Sequence, residues 1–324
     1  MAAPRSAVGA TLGVVAAAGV AALAWGTLVE RTMFGVRSEA VAVLPPGSRP
    51  IRILHLSDLH LAPWQSKKIE WVRSLAALKP DLVVNTGDNF SHDDAYDALE
   101  FALAPFAGIP GVFVNGSNDY FGPSVKNPFS YFSGPSRNPS TSPRSAVPLD
   151  TARMENYFEN SLGWVNLNNA AESLEVAGSR IEFFGVNDAH RNWDKLGTLP
   201  GAIDDLREEL AASDSPEYTA VTIGVTHAPY QRVLNSFVTN GADVILAGHT
   251  HGGQVRIPFG PALVTNCDIP RHQAQGLSLW HHARSTAILN VSAGIGTSIY
   301  APIRFACRPE AVLVTLEPSN IGYS

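Results

Sequence analysis

Cysteine is scarce in this 324-residue chain: Cys267 and Cys307 are the only two, far apart and in no Cys-x-x-Cys spacing. That excludes a disulfide framework and a zinc ribbon, and leaves the pair either bonded to each other or present as buried thiols. Charge is sparse as well, with 16 % Asp, Glu, Lys and Arg, a formal net charge of -6 and no Lys/Arg tract. Such a surface offers no electrostatic footprint for duplex nucleic acid, so a phosphate-bearing substrate needs a local source of positive charge, for which bound metal would serve. There is no internal repeat. Apolar residues, at 45 %, are plentiful enough for a complete core and argue against wholesale disorder.

One apolar stretch stands apart. Ser6 to Val29 carries no charge and is almost entirely Ala, Val, Leu and Gly, bounded by Arg5 and Glu30. It exceeds the roughly 20 residues that cross about 30 Å of hydrocarbon, which predicts a single-pass N-terminal membrane anchor over 1–30. The alternative is a cleavable signal peptide, with Ala22-Leu23-Ala24 as a small-x-small site and a secreted product. Arg5 on one side and Arg31 and Arg37 on the other leave the membrane orientation open.

A Pro-containing linker is expected over 31–50, and a single α/β domain over 51–318. Short apolar runs then end in polar residues again and again. Ile51–Asp58, Leu82–Asp88 and Gly111–Asn115 read as strands that deliver side chains at their C-terminal ends. Lys67–Leu78 reads as a helix stopped by Pro80, giving a βαβ rhythm. Further strands are predicted at Arg180–Gly185, Thr219–Val225, Asp243–Ala247, Thr286–Val291 and Ala311–Leu316, with helices near Gly201–Ala212 and Tyr230–Thr239. Residues 121–149, rich in Pro, Ser, Asn and Gly, form a long loop, either a lid or a disordered insertion.

The chemistry lies in residues at these strand ends. Asp58-Leu-His60 puts two ligand types two apart, where extended backbone turns them to one side. Gly87-Asp88 ends the next strand, His227 follows a strand in Val-Thr-His-Ala-Pro, and Gly248-His249-Thr-His251-Gly-Gly-Gln254 repeats the alternation. Histidines spaced two apart among glycines are hard to explain as packing, because glycine surrenders core area. The candidate set is therefore Asp58, His60, Asp88, His227, His249 and His251, collected where open α/β sheets place ligand sites. Mixed carboxylate and imidazole donors suit divalent Mn, Fe, Zn or Co rather than Ca or Mg. Their number exceeds the needs of one tetrahedral ion and fits two ions about 3.5–4 Å apart sharing a carboxylate, for which Asp88 qualifies.

The order DxH, GD, an Asn-containing turn, His and GHxH resembles the calcineurin-like metallophosphoesterase superfamily. The GHTHGGQ form and the closing segment Pro302–Glu310 look most like the membrane-associated branch with UDP-diacylglucosamine pyrophosphohydrolase-like enzymes. The resemblance implies a four-layer α/β/β/α sandwich, here preceded by a transmembrane helix. It also implies that Asp58, His60 and His251 hold one ion, His227 and His249 the other, and Asp88 bridges them. The implied reaction is hydrolysis of a phosphoester or pyrophosphate bond by a metal-bridging hydroxide, with Asp88, Asn118 and His249 as catalytic residues and a phosphorylated small molecule or lipid as substrate. One motif departs from the pattern: Gly-Asn-His-Asp becomes Gly116-Ser117-Asn118-Asp119. Either Ser117 or Asn118 takes the ligand position, and Asn118 is preferred because an amide carbonyl is the better neutral oxygen ligand. In both alignments the imidazole acid is lost. A leaving group of low pKa tolerates that loss, which tilts the substrate towards a pyrophosphate or activated diester. The competing reading is a membrane-tethered, metal-containing binding protein whose catalysis is weak or absent.

Other polar residues call for plainer roles. His55, inward of Asp58, is expected to pack or to donate to a residue behind the ligands. Asn187-Asp188 would orient a metal-bound histidine or form a turn. His281 and His282 are expected at the surface, and Asp93-Asp94 at a solvated helix start.

Overall fold

The computed structural model describes residues 4–123, 147–212 and 219–319. The body of the loop expected over 121–149 lies outside the described residues. The chain opens with helix α1 (Pro4–Ala24), strands β1 (Gly35–Leu44) and β2 (Ile51–Leu56), helix α2 (Ser66–Ser74), β3 (Leu82–Asn85), α3 (Tyr96–Leu103) and β4 (Gly111–Phe113). It continues through α4 (Thr151–Asn156), β5 (Trp164–Asn166), β6 (Ala170–Val176), β7 (Ser179–Val186), α5 (Leu199–Ala212), β8 (Thr219–Thr226) and α6 (Gln231–Thr239). Four strands complete it: β9 (Val244–Ala247), β10 (Gly276–His282), β11 (Ser285–Val291) and β12 (Glu310–Pro318).

The strands form two six-stranded sheets, in the orders β1-β12-β2-β3-β4-β5 and β10-β11-β9-β8-β7-β6. Strands β2 to β5 run parallel, as do β7, β8, β9 and β11, while β12 is antiparallel to β2. Side-chain alternation of period two then sorts the apolar residues into layers. Ile53, Val84 and Val112 face Phe183, Ile223 and Val244 across the sheet–sheet interface. Leu54, Val83 and Phe113 turn the other way, onto α2, α3 and α4. Phe184, Ile245 and Leu289 likewise turn onto α5 and α6. The result is the expected α/β/β/α sandwich. Helix α2 follows its forecast closely: a 3-10 turn, Leu75–Leu78, closes it, Lys79 adopts φ 50° and Pro80 blocks continuation.

The stretch read as a linker, 31–50, differs from expectation, because it contains β1, which pairs in parallel with β12 from Gly35↔Glu310 onward. Its side chains alternate between exposed and half-buried over most of its length, as an edge strand's do, so it shows no continuous apolar run. At the N-terminus, Thr11–Thr32 is helical and apolar enough to cross a membrane, with a mean hydropathy of 2.0, and little of it is buried against the rest of the chain. The two cysteines are buried thiols, not bonded to each other.

Because Phe183 fills the sheet–sheet interface without exposure, Phe183→Ala is expected to destabilise the domain by about 3–5 kcal/mol. Urea denaturation of the detergent-solubilised chain measures this, and a loss below about 1 kcal/mol would contradict the layering.

Candidate metal centre

Five strands deliver the centre. Asp58 and His60 follow β2, Asp88 follows β3, Asn118 follows β4, His227 follows β8, and His249 and His251 follow β9. Strands β2, β3 and β4 run parallel to one another, as do β8 and β9, so their C-terminal ends open on one edge. Asp58, His60, Asp88, His249 and His251 all take positive φ, between 42° and 66°. Left-handed backbone costs a non-glycine residue about 1–2 kcal/mol, so five such turns are held only because their surroundings over-determine them. Gly248 is one reason the chains fit: a Cβ there would stand 1.9 Å from Ser57 Oγ and 2.7 Å from Asp58 Oδ2.

Two groups of donors lie with all ligand atoms within 4.8 Å of one another: Asp58, His60 and His251, and Asp58, Asp88 and His227. Asp58 belongs to both groups. Asp88 Oδ2 stands 3.6 Å from His60 Nε2 and 3.5 Å from His227 Nε2, between the two sets. Asp58 Oδ1 lies 3.7 Å from His251 Nε2. His249 joins neither tight group but abuts the second, with Nδ1 3.2 Å from His227 Nε2 and Nε2 3.2 Å from the Asn266 carbonyl. Asn118 is turned onto Asp88: its backbone N–H donates to Oδ1 at 2.8 Å and its side-chain amide to Oδ2 at 2.6 Å.

The donor set passes a direct test of fit to metal. Among the described residues, Asp58 Oδ1 and His60 Nε2 are buried atoms without a hydrogen-bond partner. Orphans of this kind are costly in a dry interior, and an electron-pair acceptor between them removes the cost. The opposite ends of the same side chains are satisfied. Asp58 Oδ2 accepts from the Ser57 hydroxyl at 2.5 Å and from the His249 N–H at 3.0 Å. Ser91 Oγ lies 3.1 Å from His60 Nδ1. Since the Thr86 carbonyl accepts from His227 Nδ1 at 2.7 Å, Nε2 of His227 presents a lone pair when the ring is neutral.

Burial sets the protonation states. It lowers His60 to about 4 and His251 well below the ordinary imidazole value, keeping both neutral as ligands must be. Burial likewise raises Asp58 to about 6. For Asp88, burial favours the neutral acid, but His227 and His60 outweigh it and hold the carboxyl well below its usual range. His227 shows the mirror image: burial opposes its charge, the Asp88 carboxylate wins, and the ring holds its proton well above the usual value.

Several residues stand behind the ligands, of which Lys68 and His190 carried no sequence signal. Asp119 accepts from the backbone N–H of Asp88, Asn89 and Gly116 at 2.7–2.9 Å, while burial and the Asp88 charge push it up to about 7. Buried Lys68 donates to the carbonyls of Leu59 and His60, and Arg304, fully buried, donates to those of Ala293, Gly294 and Gly296. His190 lies with its ring centroid 4.5 Å from that of His249 and its Nδ1 2.8 Å from the Tyr230 hydroxyl. Lys68 comes from α2 and His190 from the turn after β7, and a lone Lys or His gives no pattern to read. His55 sits behind the ligands, its Nε2 3.0 Å from Thr86 Oγ1. Asp188 takes the turn role, accepting from the His190 N–H. Asp93 and Asp94 are solvated just before α3.

Two outcomes follow. Ser91→Ala frees the His60 ring to rotate and is expected to weaken Mn binding about 10–100-fold; calorimetric titration with unchanged affinity would contradict the geometry. A metal held by His227 would displace its proton, so Mn uptake is expected to release protons and to tighten as pH rises through and above the ordinary imidazole range. Binding enthalpies that do not vary with buffer ionisation would show that no proton leaves.

The comparisons agree with this geometry. The family model for calcineurin-like phosphoesterase matches residues 51–253. The "Uncharacterized metallophosphoesterase YkuE" of Bacillus subtilis (strain 168) is 24% identical over 306 residues, 90% of this chain and 87% of that one. "Phosphodiesterase YaeI" of Escherichia coli (strain K12) is 23% identical over 294 residues, 89% and 90% of the two chains. The "Transmembrane protein with metallophosphoesterase domain" of Bos taurus is 27% identical over 218 residues, 65% of this chain and 43% of that one. Among solved structures, a 5'-nucleotidase precursor from Thermus thermophilus superposes with a TM-score of 0.44 at 12% identity, over 82% of this chain and 55% of that one. With its buried Asp and His donors collected at the strand ends, the chain belongs to the calcineurin-like phosphoesterase family and is a metal-dependent phosphoester hydrolase.

Proposed function

We propose that this chain hydrolyses a pyrophosphate or activated phosphodiester bond in a lipid-linked envelope substrate, at a centre of two transition-metal ions. Asp58, His60 and His251 would hold one ion, His227, His249 and Asn118 the other, with Asp88 between them. The observation that carries the two-ion reading is the pair of orphaned atoms, Asp58 Oδ1 and His60 Nε2, in a nest of five donors, four buried and His251 half-buried, grouped twice around Asp58. When bound, the ions supply Lewis-acid polarisation of the phosphoryl group and activate water.

The protein's own residues set what reacts. Asp88, charged and clamped by two Asn118 donors, fixes the spacing of the two ligand sets. Asn118 stands where the family pattern has histidine or its neighbour, and an amide has no proton to give to a leaving group. The departing group must therefore be stable as an unprotonated anion, as a phosphate is and an alkoxide is not. The apolar helix, α1, and the resemblance to the membrane-associated, UDP-diacylglucosamine pyrophosphohydrolase-like branch support a lipid-linked substrate and a single-pass anchor.

The test is metal analysis of the full chain, coupled to turnover of detergent-dispersed lipid pyrophosphates, soluble nucleotides and a chromogenic diester in Mn. About two ions per chain and turnover of lipid pyrophosphate are expected. Asp88→Asn and His249→Ala are each expected to lose more than the roughly 100-fold that supporting partners alone are worth. Unchanged turnover in both variants would sink the assignment, and exclusive use of soluble nucleotides would remove the lipid. Two ions without turnover of anything would favour the competing reading of a metal-containing binding protein, for which the altered Gly116–Asp119 motif speaks.

A further inference from the structure

We propose that the loop over 256–263, with Tyr300 beside it, is a second membrane contact, inserted in the lipid–water interface next to the foot of the apolar helix. The domain would then be fixed in orientation on the bilayer instead of swinging from its tether. The inference rests on the reading of α1 as a membrane span.

The last turns of that helix are bonded to the domain. The Gly26 carbonyl accepts from the Arg304 N–H at 3.1 Å, and the backbones approach so closely that a Cβ on Gly26 would lie 2.7 Å from the Arg304 carbonyl oxygen. Glu30, buried, accepts from the Cys307 N–H at 2.7 Å and from the Trp25 indole at 2.8 Å. The segment held in this way also holds the loop. Phe305 donates to the Gln254 carbonyl at 3.0 Å and accepts from the Arg256 N–H at 2.9 Å, and the Gln254 side chain donates to the Ala301 carbonyl at 2.6 Å. From Gly26 to the root of the loop is thus a short path of hydrogen-bonded backbone.

What this path supports is apolar and uncovered. The loop folds back through an Arg256↔Ala262 bridge, and Ile257, Phe259, Leu263 and Tyr300 are exposed, the Phe259 ring completely so. Phe259 also takes φ 62°, a conformation a bulky residue adopts only under constraint. The helix around Gly26 is exposed as well, at Trp25, Leu28 and Val29. Gly26 stands about one helical turn from Val29 and Glu30, so a loop tied to Gly26 through Arg304 and Phe305 stays close to the lipid boundary that Val29 and Glu30 mark. At the helix foot, Arg31 and Thr32 line a cavity of about 240 Å³ together with Trp64 and Lys67, the aromatic and cationic residue types that settle at headgroup depth. Continuity with the apolar helix makes lipid, not a second protein, the occupant.

The experiment uses the full chain in phospholipid nanodiscs, with a nitroxide on Phe259→Cys or on Val15→Cys. Both native cysteines are buried, and turnover of a soluble chromogenic diester shows that each labelled chain is folded. Accessibility to oxygen and to a water-soluble nickel chelate is read by power saturation. Expected is oxygen preference at both positions, deeper for Val15. Oxygen preference at Val15 with water-like exposure at Phe259 overturns this inference and leaves the anchor standing. Water-like exposure at both overturns the anchor itself. Dipolar broadening between nitroxides at Phe259, with exclusion of both reagents, would give the face to a second copy of the chain and overturn the lipid assignment.

Discussion

Asp88 has to be charged in a place with almost no water. A lone carboxylate buried this deeply would keep its proton or unfold the site, since desolvation costs several kcal/mol per ion. Here the charge is retained because His227 and His60 both approach one oxygen and Asn118 donates to both oxygens. Much of the remaining architecture follows from that requirement. Asp119 ties the turn that carries Asp88 to the turn that carries Asn118, through three backbone N–H groups. Its own proton affinity is raised by burial and by the neighbouring Asp88 charge, a cost the site bears to keep Asp88 anionic. His227 reaches Asp88 from the other sheet, so the same carboxylate joins the two halves of the sandwich.

Strain is the second expense. The left-handed turns at Asp58, His60, Asp88, His249 and His251 each disfavour the folded chain by about 1–2 kcal/mol, and each aims a side chain that a regular strand would send into a sheet face. The sheets absorb this because their inner layer is continuous: Ile53, Val84, Val112, Phe183, Ile223 and Val244 leave the strand ends no freedom to relax. A rigid scaffold that holds strained ligands with unsatisfied atoms is what a metal site requires before the metal arrives.

The sequence was legible where burial is two-sided. The central strands β2, β3, β4, β7, β8, β9, β11 and β12 were all foreseen within a few residues, because apolar side chains on both faces write a continuous run. The strands that escaped, β1, β5, β6 and β10, are the four sheet edges, half-exposed and short or polar, so their pattern merges with that of loops. The same division holds at the metal centre. Asp58, His60, His249 and His251 announce themselves by spacing, and the structure gathers them. Lys68 and His190 act as single polar residues with no spacing to mark them; Asp119 and Arg304 lie inside the Gly116–Asp119 and Pro302–Glu310 segments, but their contacts to the Asp88 and His251 turns, 31 and 53 residues away, are encoded by no local spacing. Asn118 lay between these cases: the sequence offered it or Ser117, and it is Asn118 that faces Asp88.

The central claim is that two ions share a centre organised by Asp88. Anomalous scattering from crystals of the full chain soaked in Mn, collected at the Mn edge, addresses it directly. The account predicts two peaks about 3.5–4 Å apart, flanking the Asp88 carboxylate, one beside Asp58, His60 and His251 and the other beside His227 and His249. A single peak, or peaks confined to the solvated group of His92, Asp93 and Asp94, would contradict it.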